Sequence, residues 1–380
     1  MTIKLYNDDA TLFSFRATVR ACTPDGDSFR VLLDRTAFFP CEGGQGADHG
    51  FLGDARVLDA ILAGDEIYHI TDSPLPVGRE VLGRLDEARR LRHMRVHSGE
   101  HILSGVLHSL FGVTNVGFHL GEEEVTLDTD IPLSPEMLAR AEEEANRAVL
   151  ENRAVRILYP TPAELKTLSF RAKLALSEGV RLVEIEGVDL CACCAPHVER
   201  TGEVGLIKIV GYMNYKGGGR LHIAVAGDAL ADYRQKQENV HAVSVALSVP
   251  EERIAEGVAR TLDSLSDLRE QLATLRATLR RERLAGLAGQ GDAVLILRDV
   301  DAAALRQYAE EGAHLSGGTV LVLLASQAGC RYAIAAEDGG AKERSAALHA
   351  RFGGRGGGKP TLLQGSFDAS AEAVAAGFSE

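Results

Sequence analysis

The chain has 380 residues, enough for two or three domains. Its apolar fraction of 45% and charged fraction of 25% are ordinary for a soluble globular protein, and 6 Cys are too few for a disulfide scaffold. Lys+Arg is 41 against Asp+Glu 54, a net charge of -13, which excludes a wholly basic nucleic-acid surface but leaves room for local basic patches. No apolar run approaches the roughly 18 residues of a membrane span. Met1 to Asp8 contains no signal-peptide core. No membrane partner is expected, and a cytoplasmic protein is.

Residues 12–33 read as two strands around a turn at Thr23–Asp27, where the Asp-Gly pair marks a hairpin. A glycine-rich loop (CEGGQGADHGFLGD) follows. Short β-like runs come next at Ala55–Ile61, Glu66–Thr71 and Glu80–Leu85. They predict a small barrel or sandwich over residues 1–85.

Residues 86–111 change to helical spacing, with Asp86 as a cap. A second helix is expected at Ser134–Asn152, with Ser134 as N-cap and Pro135 at its first position. Strand-like stretches at 124–128, 155–159, 181–185, 204–210 and 220–226 flank it. Residues 86–230 therefore read as an α+β domain.

Asp232 to Leu284 is helical and nearly free of Gly and Pro. Leu262, Leu265, Leu268, Leu272, Leu275 and Leu279 form a near-heptad stripe. Two readings stay open for 231–290: a helical hairpin packed within one chain, or a coiled coil joining two copies. Residues 291–380 read as a small C-terminal α/β domain. Its expected strands are Ala293–Leu297 and Thr319–Ala325, and its expected helices Ala302–Gly312 and Ala341–Phe352. The fold class expected is thus α+β multidomain.

The chemistry concentrates in two short patterns. His97-Ser98-Gly99-Glu100-His101 puts two imidazoles on one helical face, close enough to share an ion. Cys193 and His197 repeat that spacing with a thiolate, among the clustered Cys191, Cys193 and Cys194. Together they hold the donors of a tetrahedral His3Cys site, and this donor softness favours Zn2+. Four protein ligands also suit a closed, structural zinc. HSGEH fits H-x-x-E-H as well, the inverted zinc-peptidase signature with Glu100 as base and a distant acidic third ligand. That reading leaves Cys193 and His197 without a role.

Beside these patterns the sequence resembles the freestanding alanyl-tRNA editing proteins of the AlaX type, in their long form. It is similar to the editing and C-terminal parts of alanyl-tRNA synthetase. The resemblance is carried in order by TAFFPCEGGQGADHGFLGDARV (36–57), DEARRLRHMRVHSGEHILS (86–104), DLCACCAPHVERTGEVGLIKIV (189–210), GRLHIAVAGDAL (219–230) and GGRGGGKPTLLQGSF (353–367). It implies that His97, His101, Cys193 and His197 are the zinc ligands. It further implies hydrolysis of the ester joining Ser or Gly to tRNA(Ala). Zinc can lower the pKa of a bound water towards about 7 or hold and polarise the substrate, and a full set of four protein ligands favours the second, with zinc mainly positioning the substrate's amino acid or terminal ribose. NVGFHLGEEEVTLD (115–128) is similar to the segment with the Gln-x-Gly pocket motif, Asn115 standing where the family often has Gln. Cys194-Ala195-Pro196 replaces the usual Gly-Gly-Thr, and Glu100 stands where Gln or Thr is common, so an essential general-base role for Glu100 is not implied.

Selection against a smaller amino acid is weak, on the order of 1–3 kcal/mol per methylene, so a site that accepts Ser must read its hydroxyl with placed polar groups. Asn115, Gln45 and Thr201 are the candidates. The resemblance suggests that the loop Gly43-Gly44-Gln45-Gly46 borders the pocket, where glycine lets backbone approach a ligand. For tRNA phosphates the candidates are Arg89, Arg90, Arg92 and Arg95, then Lys208, Lys216 and Arg220, then the Arg276–Arg283 cluster, and Arg355 with Lys359 in the glycine-rich end. The helices of 232–284 and the C-terminal domain would carry a homodimer. Two rivals to the hydrolase remain: a tRNA-binding or dimerising module with structural zinc, and the peptidase.

Overall fold

In the computed structural model, described for residues 1–172, 180–326 and 329–379, the chain divides into two compact units, Met1–Ala242 and Val243–Glu380. The expected divisions at 85/86 and 290/291 fall inside these units.

The first unit opens with β1 (Ile3–Lys4), β2 (Ser14–Asp25) and β3 (Ser28–Leu33), followed by β4 (Arg35–Thr36), which pairs in parallel with β1. Then come β5 (Gly50–Leu52), β6 (Ala55–Ala63), β7 (Glu66–Thr71) and β8 (Glu80–Leu85). Six of these close into a barrel in the order β2-β3-β7-β6-β5-β8. Alternation along β2 and β8 turns Phe15, Ala17, Val19, Val81 and Leu85 inward, onto Val31, Leu33, Phe38 and Val57. The β2–β3 turn is tighter than expected. Pairing runs to Asp25–Ser28, because Gly26 supplies the positive φ of +63° that a two-residue turn requires.

Next come α1 (Glu87–Phe111), β9 (Asn115–Leu120), β10 (Val125–Thr129), α2 (Pro135–Leu150), β11 (Val155–Leu158), α3 (Pro162–Leu165), β12 (Leu182–Ile185), β13 (Asp189–Ala192), β14 (Ile207–Tyr215) and β15 (Gly218–Val225). The sheet β14-β15-β10-β9 shares an apolar core with α1 and α2, built from Met94, Leu103, Leu127, Ala145, Leu221 and Ile223. A separate sheet, β11-β12-β13, delivers the chain to Cys193. Helix α4 (Gly227–Leu247) crosses the boundary between the units.

Helix α1 is fixed to the barrel by a buried ion pair. Arg90 and Asp48 have side chains 0% and 1% exposed. Arg90 Nε donates to Asp48 Oδ1 at 3.1 Å, and its other nitrogens donate to the carbonyls of Ala10 (2.8 Å) and Ala37 (2.6 Å). Asp48 Oδ2 also accepts the Phe39 amide at 2.7 Å. Arg90 is therefore corrected from a tRNA-phosphate candidate to a structural anchor, since no donor of it reaches solvent.

The second unit contains α5 (Ile254–Leu284), β16 (Gly291–Leu297), α6 (Ala304–Ser316), β17 (Gly317–Ser326), β18 (Gly329–Ala335), α7 (Ala341–Phe352), β19 (Arg355–Lys359), β20 (Leu362–Phe367) and α8 (Ala371–Ser379). Its sheet order is β16-β17-β18-β20-β19, and only β16–β17 is parallel. The alternating α/β reading is corrected to a mixed sheet. The glycine-rich tract forms an exposed edge strand, whose lack of apolar residues hides it from pattern reading. The long helix breaks once, around Ser248 (φ +53°) and Pro250. Leu262, Leu268 and Leu275 on α5 are exposed, at 60%, 61% and 67%. No described helix is long and apolar enough to cross a membrane.

Two outcomes test this account. Arg90→Ala leaves Asp48 charged and unanswered, and should cost about 3–5 kcal/mol in urea denaturation. His69 is fully buried in the barrel, where burial pushes it down to about 4. The unfolded chain takes up that proton below its ordinary 6.5, the folded barrel only below about 4. This contribution is complete above pH 6.5 and is lost as pH falls towards 4, by up to about 3 kcal/mol. Urea midpoints at about pH 7.5 and about pH 5 should separate, and His69→Gln should narrow the gap. An equal gap in both proteins would contradict the assignment.

Candidate metal centre

Asp86 starts α1 by accepting the Arg89 amide, and Gly112, at φ +69°, ends it. Nearly every residue from His93 to Leu107 is buried, because the helix packs against α2, β13 and the sheet strands β9 and β15. His97 and His101 therefore lie on an inward face. Cys193 and His197 sit on the loop after β13. Ala195 of that loop is buried in the barrel core, and Arg181 Nη1 pins the loop by donating to the carbonyls of Cys193 (2.7 Å) and Ala195 (3.0 Å).

The four donor atoms of His97, His101, Cys193 and His197 all lie within 4.8 Å of one another. Tetrahedral zinc bonds of about 2.0–2.3 Å place ligand atoms about 3.3–3.8 Å apart. His97 Nε2 and His197 Nε2 stand 3.6 and 3.3 Å from Cys193 Sγ. The donor set and its spacing fit a closed zinc site. Among the described residues, Cys193 and His197 complete the group that holds both His97 and His101, while Asp189 stands close to His101 alone.

Each imidazole is held at Nδ1 by a different element. His97 Nδ1 meets Gln45 Oε1 at 2.9 Å, His101 Nδ1 meets Asp189 Oδ2 at 3.2 Å, and His197 Nδ1 meets Ser98 Oγ at 2.9 Å. An amide oxygen and a carboxylate only accept, so Nδ1 of His97 and His101 carries the proton and Nε2 faces the centre. Arg171 grips Asp189 with two bonds of 2.7 Å.

Burial opposes ionisation of Cys193, but His97, His197 and hydrogen bonds from His101 and His197 carry its thiol well below the ordinary range. Burial would lower His101, yet Asp189 and Cys193 hold it well above its ordinary value. Burial raises Cys191 and pushes Cys194 up to about 12. The electrostatics thus single out Cys193 as the thiolate in the cluster.

A cavity of about 790 Å3 opens beside three of the four donors, His97, His101 and Cys193, and is lined also by Gly43, Glu100, Asn115, Phe118 and Arg171. Asn115 lies there as expected, its Nδ2 donating to Glu100 Oε1 at 2.7 Å. Gln45 is 1% exposed with its oxygen engaged by His97, which places it behind the ligand instead of on the substrate. Thr201 is corrected too. It is fully buried, donates to the Ala148 carbonyl (2.7 Å), accepts the Arg153 amide (2.8 Å), and serves the turn it begins. Gly44, at φ +86°, lets the loop lie on β9: a Cβ there would stand 2.4 Å from the Phe118 carbonyl oxygen. Arg89 is paired with Glu122 and bonded to the Ala47 carbonyl. Arg220 is paired with Asp128 and stacked 3.9 Å from the Tyr215 ring centre. Arg355 and Lys359 are exposed on β19. Sequence reasoning missed Ser98, Asp189 and Arg171, which carry no spacing signal of their own.

Residues 180–228, from the start of β12 through the Cys193–His197 loop to β15, match the family described as the threonyl and alanyl tRNA synthetase second additional domain. Cys193 and His197 fall within the matched residues, while His97 and His101 lie before them on α1. More particularly, the chain is similar to freestanding alanyl-tRNA editing proteins. It is 33% identical over 253 residues to the alanyl-tRNA editing protein Aarsd1-A of Xenopus laevis, covering 65% of this chain and 61% of that protein. It is also 33% identical over 296 residues to an alanine–tRNA ligase of Ignicoccus hospitalis, covering 74% of this chain and 32% of the ligase. The chain thus spans about three fifths of the first and a third of the second. A solved structure, the C-Ala domain of Aquifex aeolicus alanyl-tRNA synthetase, aligns with 22% of this chain and 80% of its own at 21% identity and a TM-score of 0.20.

Gln45→Ala, Ser98→Ala and Asp189→Asn each release one imidazole from its Nδ1 partner. Each should weaken zinc binding by roughly 10–100-fold in chelator competition. Affinity equal to wild type in all three would remove these residues from the site.

Proposed function

We propose that the chain is a zinc-dependent hydrolase that removes Ser, or Gly, from mischarged tRNA(Ala). The carrying observation is the His97–His101–Cys193–His197 cluster, of which His97, His101 and Cys193 line a cavity together with Asn115 and Glu100. The reaction adds water across the aminoacyl ester and yields the free amino acid and the tRNA hydroxyl. His97, His101, Cys193 and His197 would hold a zinc ion, which would supply Lewis-acid chemistry for positioning and polarising the ester. The residues of the chain do the rest. Gln45, Asp189 and Ser98 hold the three imidazoles with Nε2 inward. Asn115 presents its amide beside Glu100, where it can read a serine hydroxyl. The barrel loop at Gly43 narrows one wall of the cavity.

tRNA phosphates would meet the exposed Arg355 and Lys359, with Arg89 and Arg220 available only by exchanging their acidic partners. The uncovered leucine stripe of α5 supports a homodimer. Four protein ligands favour a second reading, a purely structural zinc in a tRNA-binding module.

Deacylation of Ser-tRNA(Ala), with metal content measured in parallel, separates the two. Wild type should turn over and His101→Ala should lose both zinc and activity. Absence of zinc-dependent turnover in wild type would leave the structural reading. Cys193→Ala with zinc still bound and full activity would refute the ligand set.

A further inference from the structure

Among the described residues, three carboxylates are buried: Asp48, Glu100 and Asp189. Two are answered by guanidinium groups, Asp48 by Arg90 and Asp189 by Arg171. Glu100, 3% exposed, has no ion-pair partner among the described residues. Its Oε1 accepts from Asn115 Nδ2 at 2.7 Å and from the Ser104 hydroxyl, and Oε2 accepts from none of the described residues. An unpaired buried carboxylate is costly, and a protein keeps one where a cation arrives. Glu100 lines the cavity together with His97, His101 and Asn115, so the arriving cation would come through that cavity.

We infer that Glu100 is the residue that recognises the α-ammonium group of the aminoacyl ester, selecting substrates with a free amino group. This rests on the deacylase reading. Every aminoacyl ester carries that cation one carbon from the scissile carbonyl. An ammonium at Glu100 leaves the side chain facing Asn115, which shares Oε1 with it. The carboxylate thereby acts as a specificity determinant. Its position between two metal ligands on α1 ties amino-group recognition to placement of the carbonyl.

The test uses the zinc-loaded full chain and two non-hydrolysable probes, 3′-(L-seryl)amino-3′-deoxyadenosine and its N-acetyl form, measured by calorimetry. A charge-assisted contact is worth at least about tenfold in affinity, so wild type should prefer the free amine by that factor or more. Glu100→Gln should abolish the preference and Glu100→Asp should keep part of it, with zinc content measured for each. The loss in Ser-tRNA deacylation should fall on KM. Equal binding of the two probes by wild type would overturn the inference. So would a Glu100→Gln protein that keeps the preference, or one that loses zinc and weakens both probes alike, which would make Glu100 a counter-charge for the metal. Failure of wild type to deacylate Ser-tRNA would instead strike the deacylase reading, and probe binding reports on Glu100 separately.

Discussion

The buried pair of Arg90 and Asp48 sets the register on which the rest of the site depends. Arg90 precedes His97 by two helical turns, so both project from the same side of α1. Asp48 and Gln45 belong to one glycine-rich loop of the barrel. Closing Arg90 on Asp48 therefore carries Gln45 to His97 as well. The carbonyls of Ala10 and Ala37 take further Arg90 donors, so the guanidinium cannot slide along the loop without losing buried bonds. A hydrophobic contact is non-directional and would hold the helix against the barrel without fixing its rotation. The ion pair with its hydrogen bonds fixes it.

Charge is distributed unevenly around the centre. Asp189 is neutralised by Arg171 and orients His101 without adding net charge to the cavity. Gln45 and Ser98 orient the other two imidazoles as neutral groups. Cys193 supplies the thiolate, while burial keeps Cys191 and Cys194 protonated. Glu100 then remains, among the described residues, as the buried carboxylate without an ion-pair partner. The same burial that makes each of these groups expensive makes their pairing specific, since a wrong partner leaves an unanswered charge.

The elements legible in the sequence were those whose signal is local. The α1 boundaries follow from Asp86 and the residues before Gly112, the α2 start from Ser134-Pro135, and the barrel strands from alternation in residues 55–85. Among the strands that escaped, β5, β13 and β19 are three to five residues long and lack apolar alternation, whereas β9, β18 and β20 are six or seven residues long and carry glycines that interrupt their apolar pattern. Arg90 reads as one of several arginines near the His pair, and nothing adjacent to it signals burial. Thr201 reads as a hydroxyl near the Cys–His segment, yet its partners, Ala148 and Arg153, lie about fifty positions away.

By itself the sequence determined the donor set, because two His at i and i+4 on a helix and a Cys and His at the same short spacing on a loop are local facts of the sequence. It also determined the chain's likeness to alanyl-tRNA editing proteins, through motifs that stand in order along it. Only the tertiary structure decided which nitrogen of each imidazole faces inward, which arginine is an anchor and which carboxylate is left unpaired. The reason is physical. Gln45–His97, Ser98–His197, His101–Asp189 and Arg90–Asp48 join residues 42 to 99 positions apart, and no local pattern encodes a partner at that distance.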